Sequence, residues 1–197
     1  MSLPADLVQL RAAVEAGERF TYRFFWGHPA APGTPVGNAC LSQWWPCKFA
    51  VDGVTYTTAE QWMMAEKARL FGDTDALEQI LSVEDPQSIK ALGRGVRDFD
   101  AATWDAARFE RVVVGNVHKF GSEPALRAFL RSTEGEVLVE AAPRDVIWGI
   151  GLGKDNPRAQ DPRQWRGMNL LGFALMHARA RLGTDRDSAQ GREPLSH

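Results

Sequence analysis

Glu60, Met63, Met64, Lys67 and Phe71 fall on one stripe when the segment Ala59–Phe71 is projected at 100° per residue. The stripe is apolar in its middle, with a carboxylate at one end and an ammonium near the other. Glu60 and Lys67 are two turns apart, roughly 10 Å along the axis, too far to pair but able to serve one pocket. Such a pair suits acid–base or nucleophilic chemistry in a partly desolvated cleft. Two structural roles compete with this. Thr57-x-x-Glu60 has the spacing of a capping box, and Lys67 can snorkel at the edge of a core.

A second cluster runs from Glu140 to Lys154 and contains Asp145, Trp148 and glycines at 149, 151 and 153. A carboxylate three residues before an indole, where a strand gives way to a Gly-rich turn, can hold and protonate a nucleobase or ribose. A turn-capping Asp and a core Trp give the same pattern. The glycines are not a phosphate loop, because Trp148 and Asp155 occupy the Gly and Ser/Thr positions of the Walker pattern. Lys154 occupies the last Gly of the dinucleotide fingerprint.

Seven tryptophans are unusual for 197 residues. Several could be core, but Ser42-Gln-Trp44-Trp-Pro, Asp145-Val-Ile-Trp148 and Gln164-Trp165-Arg set indoles beside polar turn residues. That placement suits a flat aromatic ligand. Asn116 and Asn169 interrupt apolar helical runs, so each caps a neighbour or touches a ligand. Arg23, Lys48, Lys90, Arg94 and Lys119 could meet phosphates or simply face solvent. Cys40 and Cys47 read as small buried hydrophobes, and the four histidines show no ligand spacing.

These residues need elements to position them. An amphipathic helix over Leu3–Glu18 precedes a strand over Phe20–Trp26 and a Pro/Gly-dense loop over residues 28–38. Asp52-Gly53 predicts a hairpin between Trp45–Val51 and Val54–Tyr56, after which Thr57 and Thr58 offer caps for the helix from Ala59. Helices follow over residues 74–81, 86–92, 103–120 and 123–132, then a short strand over 137–141. A last helix, Met168–Leu182, ends at Gly183. The expected architecture is a single α+β domain, predominantly helical, with a few short strands. Residues 1–19 form an N-terminal helical extension, 20–182 the domain, and 183–197 a disordered tail.

The formal charge of −2 argues against a general electrostatic grip on nucleic acid or an anionic membrane, though not against work on one nucleotide. No apolar run approaches the ~20 residues that cross a bilayer. The opening Met1-Ser-Leu-Pro-Ala-Asp lacks the basic region of a secretory signal, so a soluble cytoplasmic protein is expected.

Six blocks stand in a characteristic order: Leu41-Ser-Gln-Trp-Trp-Pro-Cys-Lys-Phe49, Tyr56-Thr-Thr-Ala-Glu-Gln-Trp-Met-Met-Ala-Glu-Lys-Ala68, Lys90-Ala-Leu-Gly-Arg94, Gly115-Asn-Val-His-Lys-Phe120, Asp145-Val-Ile-Trp-Gly-Ile-Gly151 and Gly167-Met-Asn-Leu-Leu-Gly172. In this the chain resembles the YbiA-like, or NADAR, family from about Phe24 to Leu182. The resemblance implies an N-glycosidase that cleaves a ribosyl C–N bond to a guanine-like or aminopyrimidine amine. Its substrates would be phosphoribosylamino-pyrimidine intermediates of riboflavin biosynthesis, or ADP-ribose on guanine, free or in nucleic acid. It implies no cofactor and no metal. On the matching positions, Glu60 is the acid/base, Lys67 the nucleophile or proton donor, Asp145 the electrostatic partner and Trp148 the stacking platform. Trp26, Ser42, Trp44, Arg94, Asn116, Lys119 and Asn169 are then expected to bind the substrate. The alternative from another class is a module that binds ADP-ribose or NAD and cleaves nothing.

Overall fold

The structure, a computed structural model, describes residues 3–27 and 33–190, the last six of these by backbone only. Its central element is α2 (Ala59–Leu70), which is buried almost all round: Ala59 through Glu66 and Ala68 are all inaccessible. The cap of this helix is Thr58, whose hydroxyl accepts from the Gln61 N–H at 3.1 Å. The Gln61 side chain reaches back to accept from the Thr57 N–H at 2.8 Å. The capping box is therefore Thr58-x-x-Gln61, one residue later than the Thr57-x-x-Glu60 spacing suggests, and Glu60 has no part in it. The Gln61 amide also donates to the carbonyls of Ile80 and Val83, which ties the start of α2 to the end of α3 (Thr74–Ser82).

The predicted hairpin is present as β2 (Phe49–Val51) and β3 (Val54–Tyr56). Asp52 and Gly53 both have positive φ, 48° and 80°, as a two-residue turn matched to strand twist requires. Phe49 stacks on Tyr56, and Tyr56 meets Trp62 of α2 edge-on at 5.2 Å. α4 (Pro86–Arg94) lies against α2, and so does the long α5 (Ala101–Ser122). Gly115 gives Trp62 room: a Cβ there would stand 2.2 Å from the indole ring.

The other two strands are far apart in the chain. β1 (Thr21–Phe25) pairs in parallel with β4 (Glu136–Glu140), in a register that sets Phe25 opposite Glu140. α6 (Pro124–Ser132) leads into β4, where Val137, Leu138 and Val139 are all fully buried, so the strand is covered on both faces. One cover is α7 (Leu170–Gln190), which also packs along α5. α7 continues beyond Gly183, where a helix end was expected. A single part-exposed glycine such as Gly183 costs a helix only about 1 kcal/mol. The expected tail is thus helical to Gln190, and residues 191–197 lie outside the described ones, as do His28–Pro32 of the expected loop.

The N-terminal extension is a docked helix, α1 (Leu7–Glu15). Leu10 is fully buried, and Arg11 donates to the carbonyls of Pro162 and Trp165, both at 3.0 Å. Among the described residues, no helix is long and apolar enough to cross a membrane.

Candidate active site

The geometry starts at the first turn of α2. The Glu60 N–H donates to the Gln43 carbonyl at 3.0 Å, so the loop carrying Ser42, Gln43 and Trp44 lies across the start of the helix. Glu60 is 3% exposed, and its Oε1 has no hydrogen-bond partner. The Trp44 side chain donates to this carboxylate, and Lys90 and Arg94 of α4 face it with positive charge. Burial dominates all the same: desolvation pushes Glu60 up to about 7, with the charge of Asp145 adding to the rise.

Glu140, the last residue of β4, is a second acid in the same place, part-exposed as a residue but with its Oε2 buried. Its Oε2 also lacks a partner. Desolvation first, then the charges of Asp145 and Glu60, push it up to about 8 against the opposing charge of Lys90. Glu60 of α2 and Glu140 of β4 therefore both face the Lys90 ammonium, with Asp145 of the following turn beside the two acids. The Lys90 Nζ also lies 5.7 Å from the Trp44 ring centroid.

The third acid sits in a tightly folded turn. Asp145 Oδ1 accepts from the N–H groups of Ile147 and Trp148 at 2.9 and 2.8 Å, while its backbone carbonyl accepts from Gly151. Close backbone packing keeps this turn in place. A Cβ on Gly167 would stand 2.2 Å from the Gly149 carbonyl oxygen. Trp148 is half-buried against the core, with the Arg108 guanidinium 6.0 Å from its ring centroid. Beside it, Val146, Ile147 and Met168 form an exposed apolar lip.

Among the expected site residues, Glu60, Asp145, Trp44 and Arg94 come together here, with Trp148 in the Asp145 turn. Trp26, 62% exposed, follows β1 at the strand end that also carries Glu140. Several others are committed to the protein's own backbone. Lys119 is 0% exposed, and its amine donates to the carbonyls of Cys40 and Ser42 at 2.6 and 2.7 Å. Burial pushes it down to about 8. With Ser42, whose hydroxyl accepts from the Trp44 N–H, Lys119 shapes the loop that presents Trp44. Asn116 is fully buried and donates to Val112 O within its own helix. Asn169, at φ 55° and 0% exposed, brackets β4: its Oδ1 accepts from the Glu140 N–H and its Nδ2 donates to Leu138 O, each at 2.9 Å. In this structure, then, Lys119 and Asn169 position the site instead of lining it, because their polar atoms are already satisfied by carbonyls and amides.

Lys67 lies further along α2. Its amine donates to the Gly93 carbonyl at 2.7 Å and sits 4.1 Å from the centroid of the Phe99 ring. Burial lowers its pKa below the ordinary lysine value. The ammonium facing the acids is that of Lys90. Lys90 and Arg94, two of the five basic residues read from the sequence as able to meet phosphates, are one turn apart on α4. Arg23, by contrast, is paired with Glu136. A groove of about 780 Å³ between α3 and α4, lined by Asp73, Gln79, Ser88 and Arg97, contains none of the three acids.

Glu140 is the residue that reading the sequence missed. The one signal was a carboxylate directly after three consecutive apolar residues, Val137, Leu138 and Val139. The tryptophans divide cleanly. Trp45, Trp62, Trp104 and Trp165 are core, with the Trp62 and Trp165 indoles donating to the carbonyls of Arg111 and Ala159. Trp26, Trp44 and Trp148 keep accessible surface near the acids.

The model of the NADAR domain matches residues 24–183 of the chain. The chain belongs to the NADAR family. This NADAR protein is 40% identical over 163 residues to the N-glycosidase R617 of Acanthamoeba polyphaga mimivirus, covering 80% of this chain and 94% of that one. It is 30% identical over 142 residues to the N-glycosidase YbiA of Escherichia coli (strain K12), covering 72% and 79%. Over 147 residues it is 30% identical to the chloroplastic riboflavin biosynthesis protein PYRR of Zea mays, covering 71% of this chain and 22% of that one. Its fold is similar to the NMR structure of the E. coli protein YbiA, with a TM-score of 0.69 at 23% identity, covering 99% of this chain and all of that one. The NADAR match begins at residue 24, after α1.

Proposed function

We propose that this NADAR protein is an N-glycosidase that hydrolyses the bond between ribose C1′ and the amine of a guanine-like or aminopyrimidine base. The observation that carries the reading is the buried Glu60 carboxyl, with an unpartnered oxygen, set among Trp44, Lys90 and Asp145. Cleaving a ribosyl C–N bond develops positive charge at C1′, which carboxylates stabilise. The attacking group must also lose a proton, and a carboxylate whose pKa lies near neutrality takes it efficiently. Glu60 fills that role, Asp145 adds negative charge, and Trp148 and Trp44 hold the flat base. Lys90 and Arg94 take the phosphate. Relatives named N-glycosidase and PYRR support the same reading.

Two substrates distinguish the specific forms of this activity. Purified protein is incubated with ADP-ribosylated guanosine and, separately, with the phosphoribosylamino-pyrimidine, and the products are read by mass spectrometry. We expect free base or amine from at least one of them, with ADP-ribose or ribose 5-phosphate as its counterpart. Silence on both, with tight ADP-ribose binding, would favour a binding module.

Lys67 enters as the nucleophile of a covalent route, in which its desolvated amine leaves Gly93 O and condenses with the opened ribose as a Schiff base. Cyanoborohydride added during turnover should inactivate the protein and attach a ribosyl mass to the peptide containing Lys67, and Lys67→Arg should escape this. Without the adduct, water attacks directly and Lys67 is a clamp on the end of α4.

A further inference from the structure

We infer that Glu140 is a catalytic residue, the general acid that delivers a proton to the leaving amine while Glu60 acts as the base; this rests on the N-glycosidase reading above. The geometry that supports it lies in the strand end. Glu140 is held at four points. Its N–H donates to Asn169 Oδ1, its carbonyl accepts from Ile150, the next residue's N–H donates to Phe25 O, and the register sets it beside Phe25. Its backbone is thus fixed, while its buried Oε2 is left without a partner. A buried carboxyl oxygen with no partner is costly unless it works on something that binds.

The charged groups around it assign the roles. Glu60 approaches from α2, Lys90 from α4, and Asp145 from the turn after β4. At Glu140 desolvation and the charges of Asp145 and Glu60 all disfavour a carboxylate and Lys90 alone opposes them, so Glu140 holds a proton. Glu60 has Arg94 and the Trp44 indole beside it as well as Lys90, groups that favour its carboxylate, whereas Glu140 has Lys90 alone, so the proton rests on Glu140. At neutral pH the resting pair is a Glu140 acid and a Glu60 carboxylate. As the C1′–N bond breaks, its electron pair goes to nitrogen, which takes the Glu140 proton. The nucleophile that adds at C1′ gives its proton to Glu60. Transfer from Glu60 to Glu140 restores the resting state, and the net reaction consumes one water.

The test varies the leaving group. Glu140→Gln and wild type are compared on the amine-leaving ribosyl nucleotide and on a 4-nitrophenyl ribosyl phosphate, whose phenolate departs without a proton. A general acid predicts a loss of about 10²-fold or more in kcat on the amine, near wild-type turnover of the aryl compound, and disappearance of the fall in wild-type kcat as pH rises through about 8. Equal losses on both compounds with the pH limb intact would make Glu140 structural, and no loss on the amine would remove it from the reaction. Should the aryl compound bind poorly to wild type, the pH limb decides, with Glu140→Asp expected to keep it at reduced rate. Wild-type silence on every amine would overturn the N-glycosidase reading itself, a different outcome from an active enzyme indifferent to Glu140.

Discussion

Glu60→Gln should lower kcat by about 10³-fold or more while leaving KM within a few-fold, because the amide keeps the shape of the carboxyl but cannot take a proton. Nothing else in the site replaces it: Asp145 is held by two backbone N–H groups, and Glu140 is the acid of the pair. A module that only binds its ligand would show no such split, since Glu60 plays no part in capping α2. Retention of a tenth of the turnover would remove Glu60 as the base. The same variant has a second signature in the ligand-free protein. The folded pKa of Glu60 is raised, so the stability of the neutral carboxyl is fully present below about 4.5 and is lost as pH rises through about 7. Glu60→Gln removes that loss. It should melt higher than wild type at pH 9 by an amount on the order of 3 kcal/mol, relative to the difference at pH 4.5. A difference that does not change with pH would mean that the carboxyl is solvated in the free protein.

The second large effect belongs to Asn169→Ala. Both ends of the amide are spent on β4, so truncation leaves the Glu140 N–H and the Leu138 carbonyl unpaired in a dry environment. Two such groups cost roughly 2–6 kcal/mol together. Alanine also tolerates φ near +55° less well than asparagine. The expected result is a fall in Tm of about 10 °C for a chain of this size. Asn169→Gly separates the causes, since it accepts the φ and loses only the hydrogen bonds. If Asn169→Gly melts like wild type, the bracket is not what holds the strand end. No larger side chain can reinforce it from α7, where a Cβ on Gly172 would lie 2.1 Å from Leu138 O and 2.5 Å from the Asn169 amide.

Features with a local cause were legible from the residues alone. The Asp52-Gly53 hairpin and the helices with an acidic cap and proline at the first turn, such as α4, needed no tertiary information. The start of α2 at Ala59 was legible, but its capping box was read one residue early because Thr57 and Thr58 are equivalent caps by type. What chooses Thr58 is Gln61, whose amide is drawn to Ile80 and Val83 on another helix. Polarity within apolar runs marked Asn116 and Asn169 as special, and a possible phosphate role marked Lys119. Sequence could not say whether a ligand or a carbonyl satisfies them, because the partners of Lys119 and Asn169 come from distant segments. Glu140 shows the same limit in reverse. It reads as the polar end of a strand, and only the approach of α2 and α4 turns it into half of an acid pair.

The pairing of β1 with β4 bears on when the protein becomes active. Parallel neighbours cannot close as a local hairpin, so β1, made among the first residues, must wait for the strand that follows α6. During synthesis Glu60 leaves the ribosome four helices before Glu140, and the Asn169 bracket emerges later still. On the proposed roles, a nascent or prematurely terminated chain carries the base without its acid, and the order of the chain delays hydrolysis until the last helix has closed over the strand.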